Sequence, residues 1–324
     1  MEEIPRVHPE GAGSHLWLWV EKRSANTDWV ARELASAFGC HQREIGFAGM
    51  KDRHAVTRQW FSVPVTDAAE QSVDEPRIEG VRILENHKHT RKLKRGTLDG
   101  NRFQLRIRNF DGDIAQTIQR LEQIRANGVP NYFGPQRFGH QGRNVEKGFK
   151  LLQKNARLKR NKKGIYLSAI RSFLFNHVLA ERVRNGTWNT IINGELAMLD
   201  GTRSIFPCEM PIADIEERCN RLDIHPTGPM PGEDGTQPQG DAAKLEQGVI
   251  QNWPELVRVL ISQRVESSRR ALRLFPGGFK WEFQGNDLEL SFELPPGAYA
   301  TTVLREILAF SEADPVSARD QGKY

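Results

Sequence analysis

Cysteine is almost missing from this chain of 324 residues: Cys40, Cys208 and Cys219 are the only three. An odd number leaves at least one thiol unpaired, and the spacings match no zinc pattern, so neither a disulfide scaffold nor a zinc module is indicated. A reduced, cytosolic protein is the simplest inference. Long apolar runs are missing as well, since none approaches the roughly 18 residues that a membrane span needs. The opening residues, with Glu2, Glu3 and Pro5, lack the basic and apolar regions of a signal peptide. A soluble, cytoplasmic protein is therefore expected. Charge of neither sign dominates, because 46 Lys and Arg face 41 Asp and Glu for a net +5. That mild excess suits a polyanionic partner without proving one.

The placing of the basic residues says more than their number. Lys88, Arg91, Lys92, Lys94 and Arg95 form one run, and Arg157, Lys159, Arg160, Lys162 and Lys163 form another. Such clusters are the footprint of phosphate-backbone contacts, although each alone could be a solvated loop.

One stretch organises the rest: Gly46-Phe47-Ala48-Gly49-Met50-Lys51-Asp52-Arg53-His54, followed by Ala55 to Pro64. The two glycines let the backbone take positive φ or pass close to a ligand. Asp52 stands between two cations, Lys51 and Arg53, and flanking positive charge favours its ionised form. A carboxylate so placed can act as nucleophile, base or metal ligand. The β-branched and aromatic run after it reads as a strand that fixes the loop. An exposed turn with solvated charges is the bland reading of the same residues.

Gly46-x-Ala48-Gly49-x-Lys51-Asp52-Arg53-x-Ala55-Val56-Thr57-x-Gln59 resembles the catalytic motif of the TruD family of tRNA pseudouridine synthases. Two further stretches agree, in the same order. One is His89-x-Arg91-Lys92-Leu93-x-x-Gly96-x-Leu98-x-Gly100-Asn101-x-Phe103, and the other is Gly128-Val129-Pro130-Asn131-Tyr132-Phe133-Gly134-x-Gln136-Arg137-Phe138-Gly139.

Along the chain, His15 to Glu21 reads as a strand and Val30, Leu34 and Phe38 as a helix capped by Asn26 or Thr27. Strands are expected at Arg82 to Leu84 and Phe103 to Arg108, joined by the basic linker Lys88 to Arg95. Asp111 or Asp113 caps a helix whose stripe Ile114, Ile118, Leu121 and Ile124 reads as core. The loop that follows sets three aromatics beside Asn131 and Arg137, the chemistry for stacking a base, hydrogen-bonding its edge and holding a phosphate. Helices are expected from Asn144 to Asn155, around Leu167 to Val178, and over Leu256 to Leu272. Ile191 to Met210 reads as turns and short strands, and the Pro- and Gly-rich His225 to Asp241 as a long loop. Trp281 to Leu294 alternates about Gln284-Gly285-Asn286 as a hairpin that rejoins the first sheet. Tyr299 then precedes a last helix.

The resemblance implies an α+β fold: a pseudouridine-synthase-type catalytic domain with a mixed, largely antiparallel sheet flanked by helices, at 1–156 and 274–324. An inserted α/β TRUD domain would occupy 157–273. It implies isomerisation of uridine, at position 13, to pseudouridine in tRNA, with Asp52 as catalytic nucleophile and no cofactor or metal. Asn131, Phe133 and Tyr299 fall at substrate-contacting positions, the last usually Phe in the family. Lys51, Arg53 and Arg137 would give electrostatic support. Family members carry a lysine and an acidic-aspartate-phenylalanine strand before this point, where the chain has only Met1 to Pro5. Either the start is truncated or that contact is supplied differently, and a missing first strand would leave a sheet edge exposed. The alternatives are a non-catalytic RNA-binding module and, more weakly, a metal-dependent nuclease using Asp52, His54, His87 and His89.

Overall fold

A computed structural model describes residues 1–65, 77–208 and 212–309. It divides into two compact units, Met1–Gly112 with Gly277–Gly297, and Asp113–Pro276 with Ala298–Tyr324.

The first unit is built on an eight-stranded sheet. Its strands are β1 (Glu2–Pro5), β2 (His15–Arg23), β3 (Gly46–Phe47), β4 (Val56–Pro64), β5 (Val81–His89), β6 (Leu98–Ile107), β13 (Gly277–Gln284) and β14 (Asp287–Leu294). The order is β13-β14-β6-β1-β4-β2-β5, with β3 paired to β4. Only β1 and β4 run parallel, so the sheet is mixed and largely antiparallel as expected. The expected open edge at the chain start is corrected here, because Glu2–Pro5 fill the position between β6 and β4. The late hairpin rejoins the first half through β14, which pairs with β6 from Leu288↔Ile107 to Leu294↔Asn101.

Helix α1 (Thr27–Ala37) covers one face of this sheet. Asn26 caps it by accepting the Asp28 N–H, and Val30 and Leu34 then join Leu18, Val20, Phe61 and Val63 in a buried cluster. Each such side chain contributes about 1.5–3 kcal/mol by leaving water. A second cluster holds Trp17, Ala48, Trp60, Leu93 and Leu98. The expected linker from Lys88 begins inside a strand, since β5 runs to His89 and pairs along β2.

The second unit centres on α4 (Arg160–Arg184), with α2 (Ile114–Asn127), α3 (Asn144–Gln153), α5 (Ile212–Asn220), α6 (Gly240–Ile250), α7 (Pro254–Ser262) and α8 (Ala300–Leu304). Tyr166, Ile170 and Leu174 of α4 pack with Leu152 of α3 and Leu256, Val259 and Leu260 of α7. A four-stranded sheet runs β11-β10-β8-β9, from β8 (Leu196–Leu199), β9 (Ile205–Pro207), β10 (Ile224–Met230) and β11 (Ser268–Ala271). A short ladder of β7 (Val129–Pro130) and β12 (Arg273–Leu274) completes the strands described.

Four expectations fail in this unit. The long loop from His225 begins instead as β10, buried from Ile224 to Pro229. Its prolines lack N–H donors, yet the Pro226 carbonyl still accepts from Leu272 N at 2.8 Å. Gly228 is needed there because a Cβ would stand 2.8 Å from Leu272 and 3.0 Å from Phe175. The helix through Leu272 ends at Ser262, and the chain then turns into β11. The basic loop from Arg157 is cut short, since Arg160 already opens α4. The α2 stripe is only half core: Leu121 and Ile124 are buried, whereas Ile114 and Ile118 are 51% and 39% exposed and Thr117 turns inward instead. Met210, the end of the stretch expected from Ile191, lies outside the described residues.

Candidate active site

Asp52 sits in the turn between β3 and β4, and buried polar side chains from three elements strap that turn down. Gly46 enters it where a Cβ would collide with the Leu93 carbonyl and the Ser62 hydroxyl. Lys22 of β2 donates to the backbone oxygens of Ala25, at 2.6 Å, and Asp52, at 2.8 Å. The Lys51 N–H donates to Thr27 Oγ1 at 3.0 Å, and that hydroxyl donates to Gln59 Oε1 at 3.1 Å. Gln59 Nε2 in turn donates to the Gly49 oxygen at 3.0 Å. Asp52 itself is exposed, and its Oδ1 accepts the His54 N–H at 2.9 Å, closing a tight turn. A carboxyl is thus displayed on a backbone that cannot drift.

The charges around it are not arranged as the sequence suggests. Lys51 turns away into the sheet, where its Nζ lies 2.8 Å from Glu3 Oε2 with the two side chains 2% and 1% exposed. Glu3 also accepts the Trp60 N–H at 3.4 Å, and burial raises its pKa while Lys51 offsets part of that rise. Among the described residues neither Lys51 nor exposed Arg53 forms an ion pair with Asp52. Lys22 is the cation that senses it: burial lowers the Lys22 pKa to about 8, opposed by the Asp52 charge, with Lys51 adding to the fall. Sequence reading missed Lys22, Glu3 and Thr27, whose roles depend on pairing across strands.

His87 and His89 are engaged elsewhere. The His89 ring stacks on Trp17 at 4.3 Å and its Nδ1 accepts the Arg91 N–H at 2.8 Å. His87 Nε2 faces Glu85 at 3.5 Å. Among the described residues no group of three His, Cys, Asp or Glu is placed to hold a metal ion.

The second unit brings Asn131, Phe133, Arg137 and Tyr299 together. The β7–β12 ladder delivers the loop, and Asn176 of α4 clamps it, accepting the Phe133 N–H at 2.9 Å and donating to the Phe133 oxygen at 3.0 Å. Phe133 is buried, edge-on to Phe175 at 5.5 Å and to Tyr299 at 6.3 Å. Arg137 Nε donates to the Tyr299 hydroxyl at 2.9 Å. Tyr132 and Phe138 are half-buried against the same cluster, with the Arg305 guanidinium 4.9 Å from the Tyr132 ring centre.

Asn131 spends both ends of its amide inside the protein. Nδ2 donates to the Ala271 oxygen at 2.8 Å, and Oδ1 accepts a short hydrogen bond from Arg270 Nη2. Arg270, absent from the sequence reading, lies 4.1 Å from the Phe133 ring centre. Burial lowers its pKa to about 10, with Tyr299 opposing the fall and Arg137 adding to it. Asn131 therefore aims Arg270 over the ring in this structure.

Comparison with known proteins fits both halves. The family model described as tRNA pseudouridine synthase D (TruD) matches residues 1–158 and 152–307. A tRNA pseudouridine synthase D of Pseudomonas putida is 44% identical over 95% of this chain and 88% of its own length. That of Hydrogenovibrio crunogenus is 40% identical over 92% and 86%. A solved structure from Methanosarcina mazei, assigned to tRNA pseudouridine synthase D, shares the fold with a TM-score of 0.72 at 21% identity, over 94% of this chain and 90% of that one. With its Asp52 motif displayed on a strapped turn and these matches spanning nearly the whole length, the chain belongs to the TruD family of tRNA pseudouridine synthases.

Proposed function

We propose that this protein isomerises uridine, at position 13, to pseudouridine within tRNA in the cytoplasm. The reaction detaches uracil from its ribose, turns the base and rejoins it through carbon. It needs a nucleophile held still while a base moves. The observation that carries the assignment to Asp52 is the strap: a carboxyl exposed on a turn whose backbone is bound by Lys22, Thr27 and Gln59. Asp52 is the nucleophile, at ribose or at base. Phe133 and Tyr299 serve the extruded base by stacking, and Asn131 serves it through Arg270. Arg53 remains available as an exposed cation for RNA. In this reading residues 157–273 form the inserted TRUD domain and 1–156 with 274–324 the catalytic one.

Incubation of the chain with unmodified tRNA followed by mapping of pseudouridine tests the proposal. One new pseudouridine at the expected position supports it. A tRNA that binds yet stays unmodified would favour a binding module instead. Formation that persists in excess EDTA would remove the nuclease alternative.

A further inference from the structure

Within the second unit, beside the Phe133 loop, opens a cavity of about 980 Å3 that the proposed reaction leaves unused. The loop supplies one wall, with Tyr132 and Phe138, and α4 supplies the other, with Phe173 and His177. All four rings are only half-buried. Phe133 also reaches the cavity, whereas Tyr299 does not line it. The α4 wall is braced from behind: His177 packs against Phe173 at 4.4 Å and against Trp253, just before α7, at 4.1 Å, and Phe173 meets Trp253 edge-on at 5.4 Å. On the loop side the Arg305 guanidinium stands 4.9 Å from the Tyr132 ring centre. Gln141 at the rim holds a left-handed backbone, φ 55°, which a residue with a side chain adopts only under constraint.

Aromatic surface gathered in an open cavity is costly to leave to water, and the polar groups there indicate what would cover it. Among the described residues neither the Tyr132 hydroxyl nor the His177 ring has a hydrogen-bond partner. Burial lowers the His177 pKa, with Arg184 adding to the fall, so at neutral pH the imidazole is uncharged and offers one donor and one acceptor. Arg305 is the one charged residue in the described lining. An apolar protein segment seated here would strand the hydroxyl and the imidazole away from water. An unpaired base satisfies both, because its faces stack on rings and its edge pairs with a neutral donor and acceptor.

We propose that this cavity receives a second unpaired base of the RNA strand, a neighbour of the target uridine, stacked on Tyr132 and read at its edge by His177. This rests on the RNA reading above and extends it from one base to two. Phe133 borders both surfaces, so the base that reaches the cavity is one adjacent to the base held at Phe133.

The test is affinity of the full chain for three unmodified tRNAs, one intact and two with an abasic nucleotide on either side of the target. Wild type, Tyr132→Ala and His177→Phe are compared, with folding checked by thermal melting. One of the abasic tRNAs should bind wild type about tenfold more weakly, and that penalty should vanish in Tyr132→Ala. His177→Phe keeps a ring but no nitrogen, so it should keep the penalty while losing a preference of about two- to tenfold among the four bases at that position, an outcome a packing role would not give. Should Tyr132→Ala fail to fold, His177→Phe carries the test, and a wild-type base preference in it overturns the proposal. No penalty at either neighbour, or one undiminished in Tyr132→Ala, in an active enzyme overturns the second-base site and leaves the function standing. A coupled penalty in a chain that makes no pseudouridine keeps the site and sinks the function. Failure of the wild type to bind tRNA overturns both. If uridine or adenosine monophosphate raises the melting temperature of wild type but not of Tyr132→Ala, while the abasic tRNAs bind like the intact one, the cavity serves a free nucleotide and the proposal falls.

Discussion

The Asp52 turn and the Phe133 region solve opposite problems with similar residues. Around Asp52, the buried Lys51 cation is matched inside the protein by Glu3, while Lys22 ties two backbone carbonyls together. The carboxyl is left to face outward on a rigid backbone. Around Phe133, the guanidiniums of Arg137 and Arg171 are oriented by neutral groups, and among the described residues no carboxylate meets them. The difference teaches how to separate scaffold from site. Where charges cancel locally, they hold shape; where they are aimed but not cancelled, the missing partner is sought outside the chain.

Ranked by expected effect on stability, four changes probe that contrast. Lys51→Met leaves the buried Glu3 carboxyl uncompensated and should cost about 3–5 kcal/mol, read as a fall in denaturant midpoint at constant slope. Adding Glu3→Gln should return part of the loss, and a double variant no better than the single would break the claim that the pair is self-contained. Gly228→Ala forces a methyl toward Leu272 and Phe175 beneath the ring cluster and should cost about 1–3 kcal/mol. Asn176→Ala removes two hydrogen bonds to the Phe133 backbone, with a comparable cost of about 1–3 kcal/mol, and should raise KM for tRNA through the loosened ring. Lys22 gives the smallest effect near neutral pH. Its folded pKa of about 8 lies below the ordinary 10.5, so between those values the folded state releases a proton that the unfolded chain keeps. Stability should therefore rise with pH across that window relative to Lys22→Met, by at most about 1.4 kcal/mol per pH unit. A pH-independent difference would contradict the burial of that amine.

How much of this could be read from the sequence depended on whether the deciding contact was local. Helix α1 and the late hairpin followed from a cap, a helical period and alternation, all carried within a few residues. Strand β10 was hidden, since Pro226, Gly228 and Pro229 imitate a loop unless α4 is known to cross there. The motif around Asp52 was legible because it is contiguous, but its neighbour Lys51 was misjudged: adjacency in sequence did not make adjacency of charge, because the backbone sends that side chain into the sheet. Arg270 could not be found at all. Its partner Asn131 stands 139 positions earlier, and the Arg269–Arg270 pair sat within what read as a helix.

Asp52→Asn against wild type, compared on the same unmodified tRNA for both pseudouridine formed and affinity, tests the central claim most directly. The expected result is loss of pseudouridine by at least about four orders of magnitude in rate with unchanged affinity. An asparagine variant that still makes pseudouridine at a rate near wild type would contradict the assignment of this carboxyl as the nucleophile.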